Sequence, residues 1–255
     1  MEILFLGTSS GWPLPRLGCK CEVCSSPDAK DKRLRPSILI NRKILIDASP
    51  DIYHQLANFK VKTSQIEYVF ITHAHTDHIM GLYDLSHIYQ KDQKIALIST
   101  RGVISSMRRL MGTSMQSFQI QEVRPFEKFA LGNDSFAWLI PVEHGSIETY
   151  GIKVKGTKPI FYAPEFRKIL PSSRRQLGDI DLAILDGSSK TSYGQAMGHE
   201  TIEEGIRLGK DIKAKKVLFT NIGHKTDKQT GLDAFVKEQG GGKFAVAFDG
   251  FSIKV

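Results

Sequence analysis

Short apolar runs rich in β-branched residues alternate along the chain with longer stretches in which apolar positions recur at helical spacing. The apolar runs predict strands, and they are ILFL, SILI, KILIDA, YVFIT, IALIS, FAWLIPV, GIKVK, PIFYA, LAILD, KVLFT, FAVAF and FSIKV. The longer stretches predict helices, and they are SPDIYHQLANF, HIMGLYDLSHIYQ, GVISSMRRLM, EFRKILPSSRRQL, HETIEEGIRLGKDI and TGLDAFVKEQ. Because strands and helices mingle throughout, we expect an α/β fold of layered sheets with helices outside.

The number of predicted strands favours two sheets. About a dozen strands are accommodated more economically by two sheets face to face than by one very wide sheet. With 255 residues, 41% of them hydrophobic, the chain can bury a sizeable core. It contains no linker or low-complexity segment, so we predict one domain spanning residues 1–255.

The N-terminus and the apolar runs bear on the cellular compartment. The opening MEILFLGTSSG is too short for a signal peptide and has Glu2 where a signal peptide carries positive charge. No apolar run approaches the length of a membrane span. We therefore expect a cytoplasmic protein without a membrane partner.

The formal net charge of +8 favours a phosphate-bearing or otherwise anionic partner, and we expect a small phosphate-bearing substrate. The basic residues are nevertheless spread along the chain, with only short clusters such as KDKRLR and SSRRQ. A solvated, lysine-rich surface explains most of them equally well. Dedicated nucleic-acid binding is therefore not predicted, and the oligomeric state, a homodimer included, stays open.

The stretch FITHAHTDHIMG places four metal-binding side chains within six positions, directly after a predicted strand. They are His73, His75, Asp77 and His78. Side chains two apart in an extended segment point the same way, so His73 and His75 can share one metal ion while Asp77 and His78 face a second position. Imidazole and carboxylate are donors that zinc, manganese and iron accept. A solvated histidine-rich loop explains this spacing poorly, because three of the chain's 8 histidines fall here.

The segment THAHTDH matches the HxHxDH signature of the metallo-β-lactamase superfamily, which the chain resembles over nearly its whole length. The resemblance implies a four-layer αβ/βα sandwich with the metal site between the sheet edges. It also implies that His144, in PVEHG, joins His73 and His75 in a three-imidazole set with an open position. Asp47, in ILIDASPDI, would orient the metal-binding loop from behind the ligands.

The opening segment LGTSSGWPLPRLGCKCEVC resembles two subfamilies: the phosphoribosyl cyclic phosphate phosphodiesterases and protein B of pyrroloquinoline quinone biosynthesis. It contains all the cysteines of the chain, Cys19, Cys21 and Cys24. The phosphodiesterase resemblance implies that His224, in TNIGHKTD, completes a tetrahedral structural zinc site with a loop at about 11–30. A disulfide with one cysteine left over fits a cytosolic protein poorly, and a loop of free thiols is the other alternative.

Two positions depart from the phosphodiesterase pattern. Where the superfamily has a bridging aspartate after a strand, this chain has APE, ending at Glu165, and where it has a last histidine, this chain has Asn221. Glu165 or Asp186 is a candidate substitute for the bridge. The second metal position otherwise keeps only Asp77 and His78. We therefore expect one tight and one weaker metal site, filled by one or two ions of zinc, manganese or iron.

The preferred hypothesis is hydrolysis of a small (cyclic) phosphodiester by metal-activated water. The resemblance implies catalytic roles for Asp77 and for His199, in AMGHE, which matches a general acid beside the leaving group. A helix-cap or surface role is the alternative for His199. His54 and His87 fall within predicted helices and are expected to be ordinary packing or surface residues.

Two other classes of function remain open. The variants YAP, TNI, DASPDI and MGH resemble the quinone-biosynthesis subfamily, which implies a single iron that activates oxygen. A binding protein with a degenerate second metal site is also compatible with the lost ligands. A ribonuclease is disfavoured because the sequence has no inserted basic arm to grip a polynucleotide.

Overall fold

The computed structural model describes residues 1–88, 94–191, 195 and 198–255. The last two residues of the helix predicted over 78–90, and Ala196 and Met197 of AMGHE, lie outside the described residues. Within the described part, the strands form two seven-stranded sheets. The predicted α/β fold of two facing sheets is confirmed.

The first sheet has the strand order β14-β1-β2-β3-β4-β5-β6. Its strands are β1 (Glu2–Gly7), β2 (Ser37–Ile40), β3 (Ile44–Ile46), β4 (Tyr68–Phe70), β5 (Ala96–Ser99), β6 (Gln119–Glu122) and β14 (Ser252–Lys254). The second sheet has the order β13-β12-β11-β10-β9-β8-β7. Its strands are β7 (Phe129–Gly132), β8 (Ser135–His144), β9 (Ile147–Lys155), β10 (Pro159–Ala163), β11 (Leu182–Asp186), β12 (Lys216–Thr220) and β13 (Phe244–Val246).

The helices connect the strands on the outer faces of the two sheets. They are α1 (Ile52–Asn58), α2 (Thr76–Ile79), α3 (Leu82–Ile88), α4 (Arg101–Met111), α5 (Pro171–Leu177), α6 (Ile202–Asp211) and α7 (Gln229–Gly240). Short 3-10 turns lie at Ala29–Asp31, Thr63–Gln65 and Gly112–Ser117. In the described part of the chain, no helix is both long and apolar enough to cross a membrane.

Two hydrophobic clusters hold the layers together. The larger cluster contains buried residues of both sheets and of α1, α3 and α4, and the smaller one lies between the second sheet and α5, α6 and α7. In β10, Tyr162 belongs to the first cluster and its neighbour Phe161 to the second, because successive side chains of a strand point to opposite faces. Helices α5, α6 and α7 contribute Leu177, Ile206 and Val236 to the smaller cluster. The result is the four-layer αβ/βα sandwich.

The register of the first sheet brings three loops to one edge. β3 and β4 are parallel, and Ile46 pairs with Phe70 at their ends. β2 runs antiparallel to β3, and the hydroxyl of Ser37 at its start donates to the carbonyl of Asp47. The loops after β1, β3 and β4 therefore all leave the sheet at the same edge.

The second sheet also gathers its loops at one edge. β10, β11 and β12 are parallel, with Ala163 opposite Leu185 and Asp186 opposite Thr220. β9 is antiparallel to both β8 and β10. The end of β8, which carries His144, therefore lies at the edge where β10, β11 and β12 also end.

The sequence pattern missed two strands and misplaced one helix. β6 (QIQE) and β7 (FALG) are short end strands with partly exposed side chains, so they lack a strong apolar run. The helix predicted to begin at Glu165 is wrong over its first six residues, because α5 begins only at Pro171. The preceding segment is an extended loop, held by a bridge between Glu143 and Lys168.

Candidate metal centre

The motif HAHTDH forms the connection between β4 and α2. Residues 71–75 form no regular secondary structure, His75 is extended and precedes the single turn of α2, and that turn carries Asp77 and His78. The loop is anchored to its neighbour, because the backbone N–H of Ala48 donates to the carbonyl of His78 at 2.8 Å. The local fold thus turns all the metal-binding side chains of the motif towards the edge of the second sheet.

The first set of donors comes from both sheets. It consists of His73, His75, His144 and Glu165. His73 Nε2 and His75 Nδ1 are 2.8 Å apart. Glu165 Oε2 lies 3.3 Å from His73 Nε2, 3.7 Å from His75 Nδ1 and 3.1 Å from His144 Nε2. Ligand atoms around one tetrahedral zinc are separated by roughly 3.4 Å, so the four donors fit a single metal ion.

The second set of donors consists of Asp77, His78 and the other oxygen of Glu165. His78 Nε2 lies 3.4 Å from Asp77 Oδ2 and 3.3 Å from Glu165 Oε1. It is buried and has no hydrogen-bond partner among the residues that the structure describes, which is expected of an atom that ligates a metal. Glu165 therefore spans the two sets, with one oxygen directed at each.

Asn221 lies beside the second set and contacts Glu165. Its Nδ2 donates to Glu165 Oε1 at 3.2 Å, while its buried Oδ1 has no hydrogen-bond partner in the structure. Of the two carboxylates predicted as substitutes for the bridge, the structure brings Glu165 to the metal-binding donors. Asp186 instead contacts His199.

Asp47 is buried behind the ligands and organises two of them. Its Oδ2 lies 2.8 Å from His78 Nδ1, and its Oδ1 accepts hydrogen bonds from the backbone N–H and the hydroxyl of Thr72. Because the Thr72 hydroxyl proton is used on Asp47, its oxygen accepts from His73 Nδ1, 2.9 Å away. The Nε2 atoms of His73 and His78 are thereby left free to bind a metal.

His144 and His199 are oriented by different acceptors. His144 Nδ1 donates to the carbonyl of Gly198 at 2.9 Å, which leaves its Nε2 for the metal. His199 Nδ1 lies 2.7 Å from Asp186 Oδ2, and its ring centroid is 4.9 Å from that of His144. Asp186 Oδ1 also accepts from the backbone N–H of Ser188. His199 thus stands beside the donor set, and among the described residues no hydrogen bond engages its Nε2.

The protonation states suit metal binding at two of these side chains. Burial and the neighbouring charge of His78 lower the pKa of His73 to about 3, so its imidazole is neutral. Burial opposes ionisation of Glu165, yet its close contacts with the imidazoles of His78, His144 and His73 hold its pKa well below the usual value. A neutral imidazole and an ionised carboxylate are the forms that bind metals.

His199 is protonated at neutral pH. Burial disfavours its charged form, but the carboxylate of Asp186 and the hydrogen bond to it raise the pKa of His199 to about 9. A protonated imidazole held by a carboxylate on Nδ1 can donate its Nε2 proton to a leaving group.

A second cluster lies where the N-terminal loop meets the loop after β12. His224 Nδ1 is 3.4 Å from Cys19 Sγ, 3.9 Å from Cys21 Sγ and 4.0 Å from Cys24 Sγ. The three cysteines form no disulfide. Around one tetrahedral zinc, a nitrogen and a sulfur ligand lie roughly 3.6 Å apart, so the four side chains fit a closed structural site.

Two residues of the metal centre were not singled out in the sequence. Thr72, which links Asp47 to His73, precedes HAHTDH directly, and a polar residue at that strand end was a usable indication. Gly198 acts through its backbone carbonyl, which no residue type reveals. His54 and His87 lie on α1 and α3 and belong to none of the three groups of metal-binding side chains in the described residues.

The chain matches one known family and is similar to proteins with different described roles. The family model described as "Beta-lactamase superfamily domain" matches residues 42–222. Coenzyme PQQ synthesis protein B of Methylorubrum extorquens (strain PA1) is 33% identical, over 99% of this chain and 99% of that protein. An octanoyltransferase of Porphyromonas gingivalis is 29% identical over 88% of this chain, which spans only 46% of that protein's length.

Two solved structures are similar over the whole chain. A structure described as a new diphosphatase from the PhnP family has a TM-score of 0.86 and 26% identity, covering 100% of this chain and 97% of that one. The zinc-bound PqqB of Methylobacterium extorquens has a TM-score of 0.81 and 22% identity, with 100% of both chains covered. The second of these likenesses concerns the fold alone.

Proposed function

This chain belongs to the β-lactamase superfamily, and we propose that within it the chain is a metal-dependent hydrolase that cleaves a small phosphodiester, cyclic esters included. The observation that supports this most is the position of Glu165. Its Oε2 is directed at His73, His75 and His144, and its Oε1 lies 3.3 Å from His78 Nε2. A carboxylate placed between two donor sets is the arrangement that holds a pair of metal ions.

Metal ions held by these two donor sets would lower the pKa of water and stabilise negative charge on phosphoryl oxygens. Glu165 and Asp77 supply the carboxylate ligands of this pair. His199 donates a proton from Nε2 to the departing oxygen, and Asp186 holds its ring in the orientation that this transfer needs. The chain's own residues thus provide both the metal ligands and an acid beside them.

Two further observations support phosphate chemistry. A neighbour at 26% identity, similar over the whole chain, is described as a diphosphatase. The formal charge of +8 also favours an anionic substrate.

The second candidate is a role in coenzyme PQQ synthesis, with a single iron and oxygen. It is favoured by the 33% identity with coenzyme PQQ synthesis protein B over 99% of the chain. A single iron would need only the first donor set, whereas the hydrolase uses both. Occupancy of the second set therefore separates the two candidates.

The test combines metal analysis with two assays. Protein purified without added metal is analysed for metal content, loaded separately with manganese, zinc or ferrous iron, and assayed with bis(4-nitrophenyl) phosphate and for oxygen uptake. Glu165→Gln is compared with the exposed control Glu238→Gln. We expect about two active-site metals per chain in the parent, and loss of the Glu165 carboxylate should lower hydrolysis by about 100-fold or more.

Two results would contradict the proposal. One is a parent that hydrolyses no ester with any of the three metals but consumes oxygen with iron. The other is a Glu165→Gln variant with the metal content and turnover of the Glu238→Gln control.

A further inference from the structure

An open recess lies on the N-terminal loop, and the metal-binding residues do not line it. Its volume is about 400 Å³, and it is lined by Trp12, Pro13, Pro15, Arg16, Leu17 and Arg35. Trp12 is 58% exposed and Leu17 is fully exposed. Large apolar side chains grouped in this way at the surface mark a binding site more often than they serve the fold.

The loop that carries the recess leaves the first sheet beside the metal centre. It connects the end of β1 with the start of β2, where Ser37 Oγ donates to the carbonyl of Asp47. The backbone N–H of Ser10 donates to the carbonyl of Ile222 at 3.1 Å, directly after Asn221. The segment around Trp12 is therefore bonded to the backbone next to Asn221, which lies beside the second donor set.

The recess combines one aromatic face with one unpaired positive charge. The guanidinium groups of Arg16 and Arg35 lie 5.4 and 5.8 Å from the centroid of the Trp12 ring. Arg35 is neutralised by Asp51, 2.9 Å away. Exposed Arg16, in contrast, has no carboxylate partner among the described residues, whose arginine salt bridges involve other positions.

The position of Arg16 is fixed by the cysteine cluster. Its backbone N–H contacts Cys24 Sγ at 3.3 Å, and its carbonyl accepts from the N–H of Cys19 at 3.0 Å. Leu14 pairs with Arg33 on the other arm of the loop. The recess is thus held in shape before any ligand arrives, which lowers the entropic cost of binding.

We propose that this recess is a subsite for the nucleobase of a nucleoside phosphate ester, which Trp12 stacks against while Arg16 pairs with a phosphate oxygen. The inference rests on the proposed function, since it names the class of ester that the metal centre would cleave. A flat indole face beside a guanidinium is the pairing that binds bases without sequence preference. A volume of about 400 Å³ fits one nucleotide, whereas a protein partner needs an interface of about 800 Å² on each side.

The kinetic test compares two diesters that share one leaving group. Thymidine 5′-(4-nitrophenyl phosphate) and methyl 4-nitrophenyl phosphate differ only in the nucleoside. We expect the parent to favour the nucleoside ester about tenfold in kcat/KM, because base stacking on an aromatic side chain contributes on that order. Trp12→Ala should bring the ratio close to one, and Trp12→Phe should keep part of it. Leu110→Ala, at an exposed apolar position of α4, is the control and should keep the whole ratio.

A binding experiment tests this subsite without requiring that the protein cleaves an ester. Calorimetry with AMP and with ribose 5-phosphate should show AMP bound about tenfold more tightly by the parent. Trp12→Ala should remove that difference. Arg16→Gln should weaken both ligands, and the exposed control Arg109→Gln should weaken neither.

The outcomes distinguish the two proposals. If neither ester is cleaved but AMP binding depends on Trp12, the hydrolase proposal fails and the subsite stands. Equal or undetectable binding of AMP and ribose 5-phosphate by the parent would overturn the subsite. The subsite would also be overturned if Trp12→Ala lowered the turnover of both esters equally. A dimer in sedimentation that depends on Trp12 would overturn it too, because the recess would then bind a second copy of the chain.

Discussion

The function of each active-site histidine depends on which of its ring nitrogens is already engaged. His73, His78 and His144 each use Nδ1 on a neighbouring oxygen, which leaves Nε2 for the metal. His199 has the same arrangement, but its acceptor is a carboxylate and its free Nε2 stands beside the donor set. Of these four histidines, which are all engaged through Nδ1, three are thus candidate ligands and the fourth is a candidate acid.

Replacing His199 tests its role as the acid. An ester with a poor leaving group needs protonation of the departing oxygen, whereas 4-nitrophenolate departs without it. His199→Gln should therefore lower the hydrolysis of an alkyl diester by about 10²- to 10⁴-fold and that of a 4-nitrophenyl ester much less. The measurement is the dependence of kcat on leaving-group pKa.

Asp186→Asn is the matched variant for this prediction. It keeps an acceptor near His199 Nδ1 but removes the charge. It should therefore also lower kcat more for esters with poor leaving groups than for 4-nitrophenyl esters, by a smaller factor than His199→Gln. An equal loss with every leaving group would mean that His199 only positions the substrate.

Glu200 gives a pH-dependent stability that can be measured directly. It is buried, its Oε2 has no hydrogen-bond partner in the structure, and burial together with the nearby carboxylates of Glu204 and Asp186 raises its pKa from 4.5 to about 8. The folded state therefore holds this proton more tightly than the unfolded state. Between pH 4.5 and about 8 the contribution of Glu200 to stability falls as pH rises.

Glu200→Gln should remove this dependence. Near pH 5 the variant and the parent should have similar free energies of unfolding, and near pH 8 the variant should be more stable by on the order of 2 kcal/mol. Urea unfolding at several pH values measures the difference. The exposed neighbour Glu203→Gln should keep the slope of the parent, and a Glu200→Gln variant with that same slope would contradict the assignment.

At the scale of elements, the hydrophobic pattern located every strand that carries a strong apolar run. It also placed HAHTDH correctly at a strand end, because β4 is fully apolar at its buried positions. It missed β6 and β7, whose positions at the ends of the sheets relax the need for apolar side chains. The central strands were predictable because their buried side chains must be apolar. The outer strands were missed because their side chains are partly exposed.

The role of Glu165 was harder to predict, because it depends on contacts between distant segments. A helix beginning at Glu165 was expected from the spacing of its apolar residues. The backbone of the next residue, Phe166, instead contacts Asp186 through its N–H and accepts from the N–H of Glu200. These long-range bonds hold Glu165 in a loop and direct it to the histidines. A helical pattern reports only the preferences of its own segment.

The N-terminal loop offers a test at the same scale. If Cys19, Cys21, Cys24 and His224 close a structural zinc site, Cys21→Ser should release about one zinc per chain and lower the free energy of unfolding, because structural metal binding contributes to folding. The active-site metal content should stay nearly unchanged. The control Lys20→Ala alters an exposed side chain of the same loop. Equal zinc content in Cys21→Ser and Lys20→Ala would remove this site.

For the whole molecule, the side chains of the metal centre come from both sheets, which also meet through apolar packing. His73, His75 and His78 belong to the connection after β4 of the first sheet, whereas His144 ends β8 and Glu165 follows β10 in the second. Two buried groups in this seam, His78 Nε2 and Asn221 Oδ1, have no hydrogen-bond partner in the structure. Without metal, these two polar groups stay buried and unpaired between the sheets, which lowers the stability of the folded state.

Removing the active-site metal should therefore destabilise the seam between the sheets. Because a ligand that binds only the folded state stabilises it by mass action, chelation should lower the Tm, and restoring metal should raise it in two steps. The first step should be tight and the second weaker, since the second set has only Asp77, His78 and a share of Glu165. Hydrogen exchange should speed up in the loops after β4 and β10 and remain slow in the central strands. Repeating the titration on Cys21→Ser, which should lack the structural zinc, shows the effect of the active-site metal alone. Two steps of equal affinity would show that the two donor sets bind metal equally well. A Tm that chelation leaves unchanged in Cys21→Ser would show that the active-site metal does not stabilise the contact between the sheets.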